Sequence, residues 1–214
     1  IRLAFSPGVR NIDKLVLDSR AFLATLPADL RAFAAPLVDL DSSGMERDYF
    51  ELFEHLYGKF NSEDTRILLS PSWAQAVTES FLDRTRETSE RLGRVPIHMH
   101  CVQTPIQKAF SLRRYGKTAI AWLDERGLLD EHVALGHAIW VTENDIEILA
   151  GRRATVTSHP VGSAGDSRPH AESARMSASC TASSAVAKSA PRRTRTLSTR
   201  GTRRRTSTSS TISR

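Results

Sequence analysis

The stretch Val95-Pro96-Ile97-His98-Met99-His100-Cys101-Val102-Gln103 decides how this chain is read. Residues 95–100 form a short apolar strand that ends in polar side chains. His98 and His100 lie two positions apart, so both point to the same face of it. Thr104-Pro105-Ile106-Gln107 follows at once. A Thr hydroxyl, Pro at the next position and Gln three residues after the Thr are the signature of a capped helix start. A strand that runs straight into a helix is half of a βαβ unit.

Outward from this stretch the alternation continues. The helix after Thr104 runs to about Tyr115, breaks at Gly116, and resumes from Thr118 to Arg126. Residues 133–141 read as a strand, Thr142-Glu143-Asn144-Asp145 opens a short helix that ends near Gly151, and residues 154–158 read as a last strand. On the other side, residues 66–69 are a buried-type strand. Ser70-Pro71 then reads as a cap plus first-turn Pro, opening a helix with Trp73, Val77 and Phe81 at i, i+4, i+8 that stops at Gly93. Residues 45–60 form an amphipathic helix with Tyr49, Phe50, Phe53, Leu56 and Tyr57 on one side. Residues 12–25 form another, preceded by a short apolar run over residues 2–6 that ends at a Pro7-Gly8 turn. Short strands alternating with helices predict an α/β protein with a parallel sheet, either a (β/α)₈ barrel or a doubly wound sheet.

Composition divides the chain at Gly162. Residues 163–214 hold 11 Lys/Arg against 2 Asp/Glu, and 21 of the 52 are Ser or Thr. Their only large apolar side chains are Met176, Val186, Leu197 and Ile212, too few to offset the backbone entropy of folding. Residues 1–162 hold 19 basic and 22 acidic side chains, so all of the chain's +6 charge belongs to the tail. The expected organisation is an ordered body over 1–162 and a disordered tail over 163–214. The tail composition is also that of a GC-rich coding sequence read out of frame. A frameshift near codons 160–165, on a fragment that lacks its start, is the expectation, with a genuine basic tail as the alternative.

Several classes are excluded. No apolar run approaches the roughly 18 residues of a membrane span. Ile1-Arg2-Leu3 does not begin a signal peptide. Two cysteines, Cys101 and Cys180, make no disulfide framework, so a cytoplasmic setting is expected. The dinucleotide fingerprint, the P-loop and the Ser-x-x-Lys and Gly-x-Ser-x-Gly nucleophile motifs are missing. Nucleic acid is not the expected partner, because residues 192–205 supply charge without aromatics or a folded reader; a non-catalytic protein, or a nucleic-acid-binding one that uses this basic tail, is the alternative reading.

In parallel α/β folds, chemistry sits at the carboxyl ends of strands. His98 and His100 stand at such an end. A neutral imidazole there suits Zn²⁺ or Fe²⁺, and Gln103 would reach a substrate from the loop that follows. The competing reading is a pair of hydrogen-bonded structural histidines. His137 lies on the next strand, either as a satisfied core residue or at the same mouth. His159 follows the last strand, with an ordinary turn as its alternative. Glu143, Asp145 and Glu147 fit the dipole of a helix start. Asp124, Glu125 and Arg126 read as a solvated face, and Trp73, Trp122 and Trp140 as packing.

Residues 95–160 resemble the amidohydrolase superfamily, in its branch of cytosine and guanine deaminases and triazine chlorohydrolases. His100-Cys101-Val102-Gln103 resembles the His-x-x-Glu at the end of that family's fifth barrel strand, except at the last position. Gly116, Trp122-Leu123, Gly127-Leu128-Leu129 and His137 then follow in the family's order. Gly8-Val9-Arg10 and Leu69-Ser70-Pro71 fit strands three and four, and residues 154–160 fit strand seven. The resemblance implies a partial (β/α)₈ barrel of about strands three to seven. It implies metal-dependent hydrolysis of a carbon–nitrogen, or carbon–halogen, bond in a small heterocyclic substrate, with a divalent metal, Zn or Fe, as cofactor. His100 would be a metal ligand, His137 would orient the water or the substrate, and Gln103 would stand where the proton shuttle belongs. An amide cannot shuttle a proton. The family's strand-one His-x-His pair and strand-eight Asp have no counterpart, Asp166 coming too soon after strand seven. The 214-residue chain is therefore expected to be inactive by itself. Self-association into a homo-oligomer stays open.

Overall fold

The structure, a computed structural model, describes residues 2–12 and 18–157. His159, Asp166 and the whole basic tail lie outside the described residues.

Among the described residues, seven short strands and seven α-helices follow one another. Strands β1 (Leu3–Phe5) and β2 (Gly8–Val9) are followed by helices α1 (Ser19–Ala24), α2 (Ala28–Ala34) and α3 (Ser42–Phe60). Strands β3 (Thr65–Ile67) and β4 (Ser70–Pro71) lead to α4 (Glu79–Arg91) and then β5 (Ile97–Cys101). Helices α5 (Pro105–Tyr115) and α6 (Ala119–Glu125), strand β6 (Val133–His137), helix α7 (Glu143–Arg152) and strand β7 (Thr155–Thr157) complete the order.

Every strand pairing is parallel. β1 lies on β3, with Leu3 opposite Thr65, and β2 lies on β4, with Gly8 opposite Ser70. Leu69 bridges to Ile97 and Trp73 to His100, which joins that path to β5. β5 pairs with β6 and β6 with β7. The described residues thus form five parallel strand paths side by side in chain order: 3–9, 65–73, β5, β6 and β7. This is the strand order of a (β/α)₈ barrel, present as an open arc without closure. All five carboxyl ends lie on one side, as parallel pairing requires.

The helices begin where their caps dictate. Asp41 Oδ1 accepts the Gly44 N–H at 2.8 Å, and the hydroxyls of Thr78, Thr104, Thr118 and Thr142 each accept the N–H three residues on. Thr142 and Asp145 form a reciprocal capping box. Inward faces meet in one core built on Phe50, Phe53, Leu69, Phe81, Leu82, Met99, Ile120, Leu123 and Leu135. Phe81 sits 5.0 Å from both Tyr49 and Phe50, ring to ring, so α3 and α4 lock against each other over the sheet.

Three elements differ from the sequence reading. Ser70-Pro71 is strand and not a helix cap, because β2 pairs with it and the buried Tyr49 hydroxyl takes the Ser70 N–H at 2.8 Å. Trp73 and Val77 are extended around a single 3₁₀ turn (Ala74–Ala76), and the helix starts eight residues later behind Thr78. Pro7-Gly8 is a kink between two paired segments, β1 and β2, and not a reversal. Of the helix expected over 12–25, Ser19–Ala24 is helical and residues 13–17 lie outside the described residues; α2 was not anticipated.

Candidate functional site

The carboxyl ends of β5 and β6 gather the histidines. Along β5, Ile97, Met99 and Cys101 are buried while His98 and His100 are half-buried on the opposite face, with ring centroids 6.1 Å apart. The period-2 expectation for this pair therefore holds.

His100 is fixed twice by one carbonyl. The Ser72 oxygen accepts the His100 backbone N–H at 2.9 Å and lies 3.0 Å from the ring Nδ1. A carbonyl can only accept, so Nδ1 carries the proton and Nε2 presents its lone pair. Metal-binding imidazoles are commonly oriented in this way, by a second hydrogen bond that sets the tautomer.

His137 reaches the same place by breaking its strand. In the β5–β6 ladder, Gly136 stands beside His100 and His137 beside the buried Cys101. Regular alternation would send His137 to the Cys101 side. Instead its backbone turns left-handed, with φ 71°, followed by Ala138 with φ 45°. Its ring then stacks on that of His100, with centroids 5.2 Å apart and planes at 22°. Gly136 has no side chain to occupy that position. A left-handed conformation at a non-glycine residue costs on the order of 1–3 kcal/mol, and such costs gather at functional sites.

Gln103 follows in a turn whose preceding residue, Val102, is also left-handed (φ 36°), an outlier for a β-branched side chain. The two strand ends are tied together. Ala138 N–H donates to Cys101 O at 2.9 Å, and Trp140 N–H donates to Val102 O at 3.1 Å. The Gln103 N–H donates to Gln107 Oε1 at 2.7 Å. The structure thus brings the rings of His98, His100 and His137 together, with the Gln103 backbone in the turn that follows β5.

The other candidates do structural work. The Asp145 carboxylate is buried and accepts from Thr142 N–H at 2.8 Å and from the Thr118 hydroxyl. Glu143 and Glu147 are exposed. The 124–126 face is not simply solvated: Asp124 pairs with Arg152, Glu125 with Lys117, and Arg126 with Glu79 and Asp83. Trp122 packs on Tyr115, ring centroids 4.1 Å apart. Trp73 stands at the mouth, in register with His100 and 4.9 Å beneath the Arg10 guanidinium. Burial, reinforced by the Asp145 charge, pushes the Cys101 thiol up to about 12, so it offers no thiolate near neutral pH.

Sequence reading passed over two residues that hold this mouth. Asn11, fully buried, takes the Thr78 N–H at 2.9 Å and donates to Ser42 O and Thr78 Oγ1 at 3.1 Å each. It pins the end of the first strand path to the starts of α3 and α4. Gln75 is buried and donates to Ser111 Oγ at 2.5 Å. A polar residue flanked by apolar ones was the sequence signal for Gln75, and Asn11, between Arg10 and Ile12, gave none.

No protein-family profile matches the chain. It is 28% identical over 142 residues to the 5-methylthioadenosine/S-adenosylhomocysteine deaminase of Desulfitobacterium hafniense, covering 66% of this chain and 30% of that one. It is 33% identical over 96 residues to the 5'-deoxyadenosine deaminase of Methanosarcina barkeri, covering 45% and 22%. Zinc-bound adenosine deaminase from Xanthomonas campestris superposes with a TM-score of 0.51 at 21% identity, over 74% of this chain and 30% of that one. A triazine hydrolase variant superposes with a TM-score of 0.55 at 15% identity, over 73% and 31%. These solved structures share the fold of this chain, a parallel βα arc. The chain's homologues are the adenosine-type deaminases of the amidohydrolase superfamily, in keeping with the resemblance seen in residues 95–160. The chain spans about a third or less of these relatives' length. No described helix is long and apolar enough to cross a membrane.

Proposed function

We propose that this arc belongs to a metal-dependent hydrolase that replaces a substituent of a small nitrogen heterocycle with the oxygen of water, the bond broken being carbon–nitrogen as in the deaminase relatives. The observation that supports this is the His100 imidazole, its Nδ1 committed to the Ser72 carbonyl, its Nε2 presenting a lone pair, and the His137 ring against it.

A neutral imidazole with one nitrogen committed fits a divalent ion, zinc or iron. Among the described residues no three His, Cys, Asp or Glu side chains are placed to share one ion, so His100 fits as one ligand of a set. Such an ion, when bound, makes a water molecule acidic enough to attack as hydroxide near neutral pH. His137, its ring stacked on His100, would orient that water or the ring under attack. Gln103 can donate to or accept from the substrate, but its amide cannot carry the proton that an amine leaving group needs.

The test is a chimaera of the Desulfitobacterium deaminase in which residues 95–141 of this chain replace the matching stretch. It should bind zinc and release ammonia slowly from 5-methylthioadenosine. Gln103→Glu should raise that release by about 10²- to 10³-fold, the range supplied by one positioned acid–base group. A chimaera that folds but binds no zinc would refute the reading. The 214-residue chain alone is expected to release no ammonia.

A further inference from the structure

The helix start at Thr104 was expected to close on itself, with Gln107 reaching back to the Thr104 backbone. The structure closes it differently. Thr104 Oγ1 accepts the Gln107 N–H at 3.2 Å, as expected, but Gln107 Oε1 accepts from Gln103, one residue earlier. Half of the capping box is therefore spent on the turn that follows His100.

Gln107 is itself held rigidly. It is buried, its carbonyl accepts the Ser111 hydroxyl at 2.8 Å, and the buried Gln75 donates to the same carbonyl at 3.4 Å and to Ser111 Oγ. Gln75 comes from the strand path next to β5, so the network crosses from one βα unit to the next. On its other flank the turn is tied to β6 through Cys101 O and Val102 O. Val102 stays left-handed only because these ties over-determine it.

We propose that Gln107 is a positioning residue: its carboxamide oxygen, carried on a main chain whose carbonyl is held by Gln75 and Ser111, holds the backbone of Gln103 in the turn that follows His100. The role of Gln103 in that site rests on the function proposed above; the holding of its backbone does not. Without the acceptor the Gln103 N–H is left unsatisfied, Val102 relaxes toward negative φ, and the Gln103 backbone leaves the turn. The oxygen is what matters, so a carboxylate of equal length should serve and an isosteric hydrocarbon should not.

The experiment is site-resolved amide hydrogen exchange on the full 214-residue chain, with Gln107→Leu, Gln107→Glu and Gln107→Asp. In Gln107→Leu the Gln103 amide should exchange about 100-fold faster than in the wild type, while Met99, Leu123 and Leu135 keep their protection. Gln107→Glu should restore Gln103 to within about fivefold, and the ring-proton shifts of His100 and His137 should move in the Leu variant and return in the Glu variant. If Gln107→Leu does not fold, Gln107→Asp, which keeps a carboxyl but falls one methylene short, should show the same local acceleration. Unchanged protection of Gln103, or acceleration spread evenly over β5, β6 and α6, would overturn the proposal. Zinc binding is read separately, in the chimaera. Its absence there, with Gln103 still held by Gln107 in the 214-residue chain, would refute the function and leave the positioning intact.

Discussion

The two ends of the parallel strands both contain left-handed residues, for different reasons. At the amino ends, Gly93 and Arg94 follow α4, Gly127 follows α6 and Arg153 caps α7. Each terminates a helix, and the bonds that close such ends are present: Arg94 N–H to Ser89 O at 2.7 Å, Leu128 N–H to Leu123 O at 3.0 Å, and Ala154 N–H to Leu149 O at 3.1 Å. At the carboxyl ends, Val102, His137 and Ala138 close no helix. Their conformation re-aims His137 onto His100 and turns Gln103 out of the strand. The amino end uses positive φ to stop helices; the carboxyl end uses it to assemble side chains. Arg94–Asp130 and Arg86–Glu90 are exposed surface pairs at the amino end, worth little to stability, whereas at the carboxyl end the His100 ring and the Gln107 amide take part in part-buried hydrogen bonds.

The largest expected effect falls on metal. In the chimaera, His100→Ala should weaken zinc binding by at least about 100-fold, more than the loss typical of an outer-shell partner. His98→Ala should cost much less, and equal losses would break the distinction between the two histidines of β5. Zinc titration measures both.

The next effect is on stability and separates the two kinds of strain. Arg153→Gly should stabilise the chain by about 0.5–1 kcal/mol, because glycine is at ease in a left-handed cap and nothing buried is lost. Ala138→Gly relieves similar strain but deletes a buried methyl, so its stability should stay within about 0.5 kcal/mol of the wild type. Only Ala138→Gly should shift the ring signals of His100 and His137. Denaturant unfolding and imidazole NMR check the pair, and a shift in Arg153→Gly would erase the contrast.

The smallest effect concerns Cys101, which lies on the buried side of β5. With Cys180→Ser as background, alkylation at pH 8 should be slow in the native chain and fast in denaturant. The thiol ionises near 9 when unfolded and only at about 12 when folded. Above pH 9 the unfolded state loses a proton that the native state keeps, so stability should fall as pH rises from 9 toward 12 and be unaffected below 9.

Much of this was readable in order along the chain. Thr104, Thr118 and Thr142 mark their helix starts because a cap hydroxyl acts on a backbone N–H three residues away, a purely local interaction. The alternation His98-Met99-His100 gave the face of β5 for the same reason. Ser70-Pro71 misled because its local signal is that of a helix start, and the contacts that overrule it, β2 and Tyr49, are 21 or more residues distant. Trp73, Val77 and Phe81 have helical spacing by coincidence and belong to different local conformations.

The sequence by itself determined an α/β chain of parallel units and the strand that carries His98 and His100. Local chemistry suffices for that, since caps and period-2 burial need no distant partner. Only the tertiary structure decided that Ser72 sets the His100 tautomer, that His137 leaves its strand to stack on it, and that Gln107 holds Gln103. The first two depend on which carbonyl or ring a neighbouring strand brings close, and on strain that only surrounding contacts can hold; the third is a local contact whose donor, Gln103 rather than Thr104, is chosen by the fold of the turn.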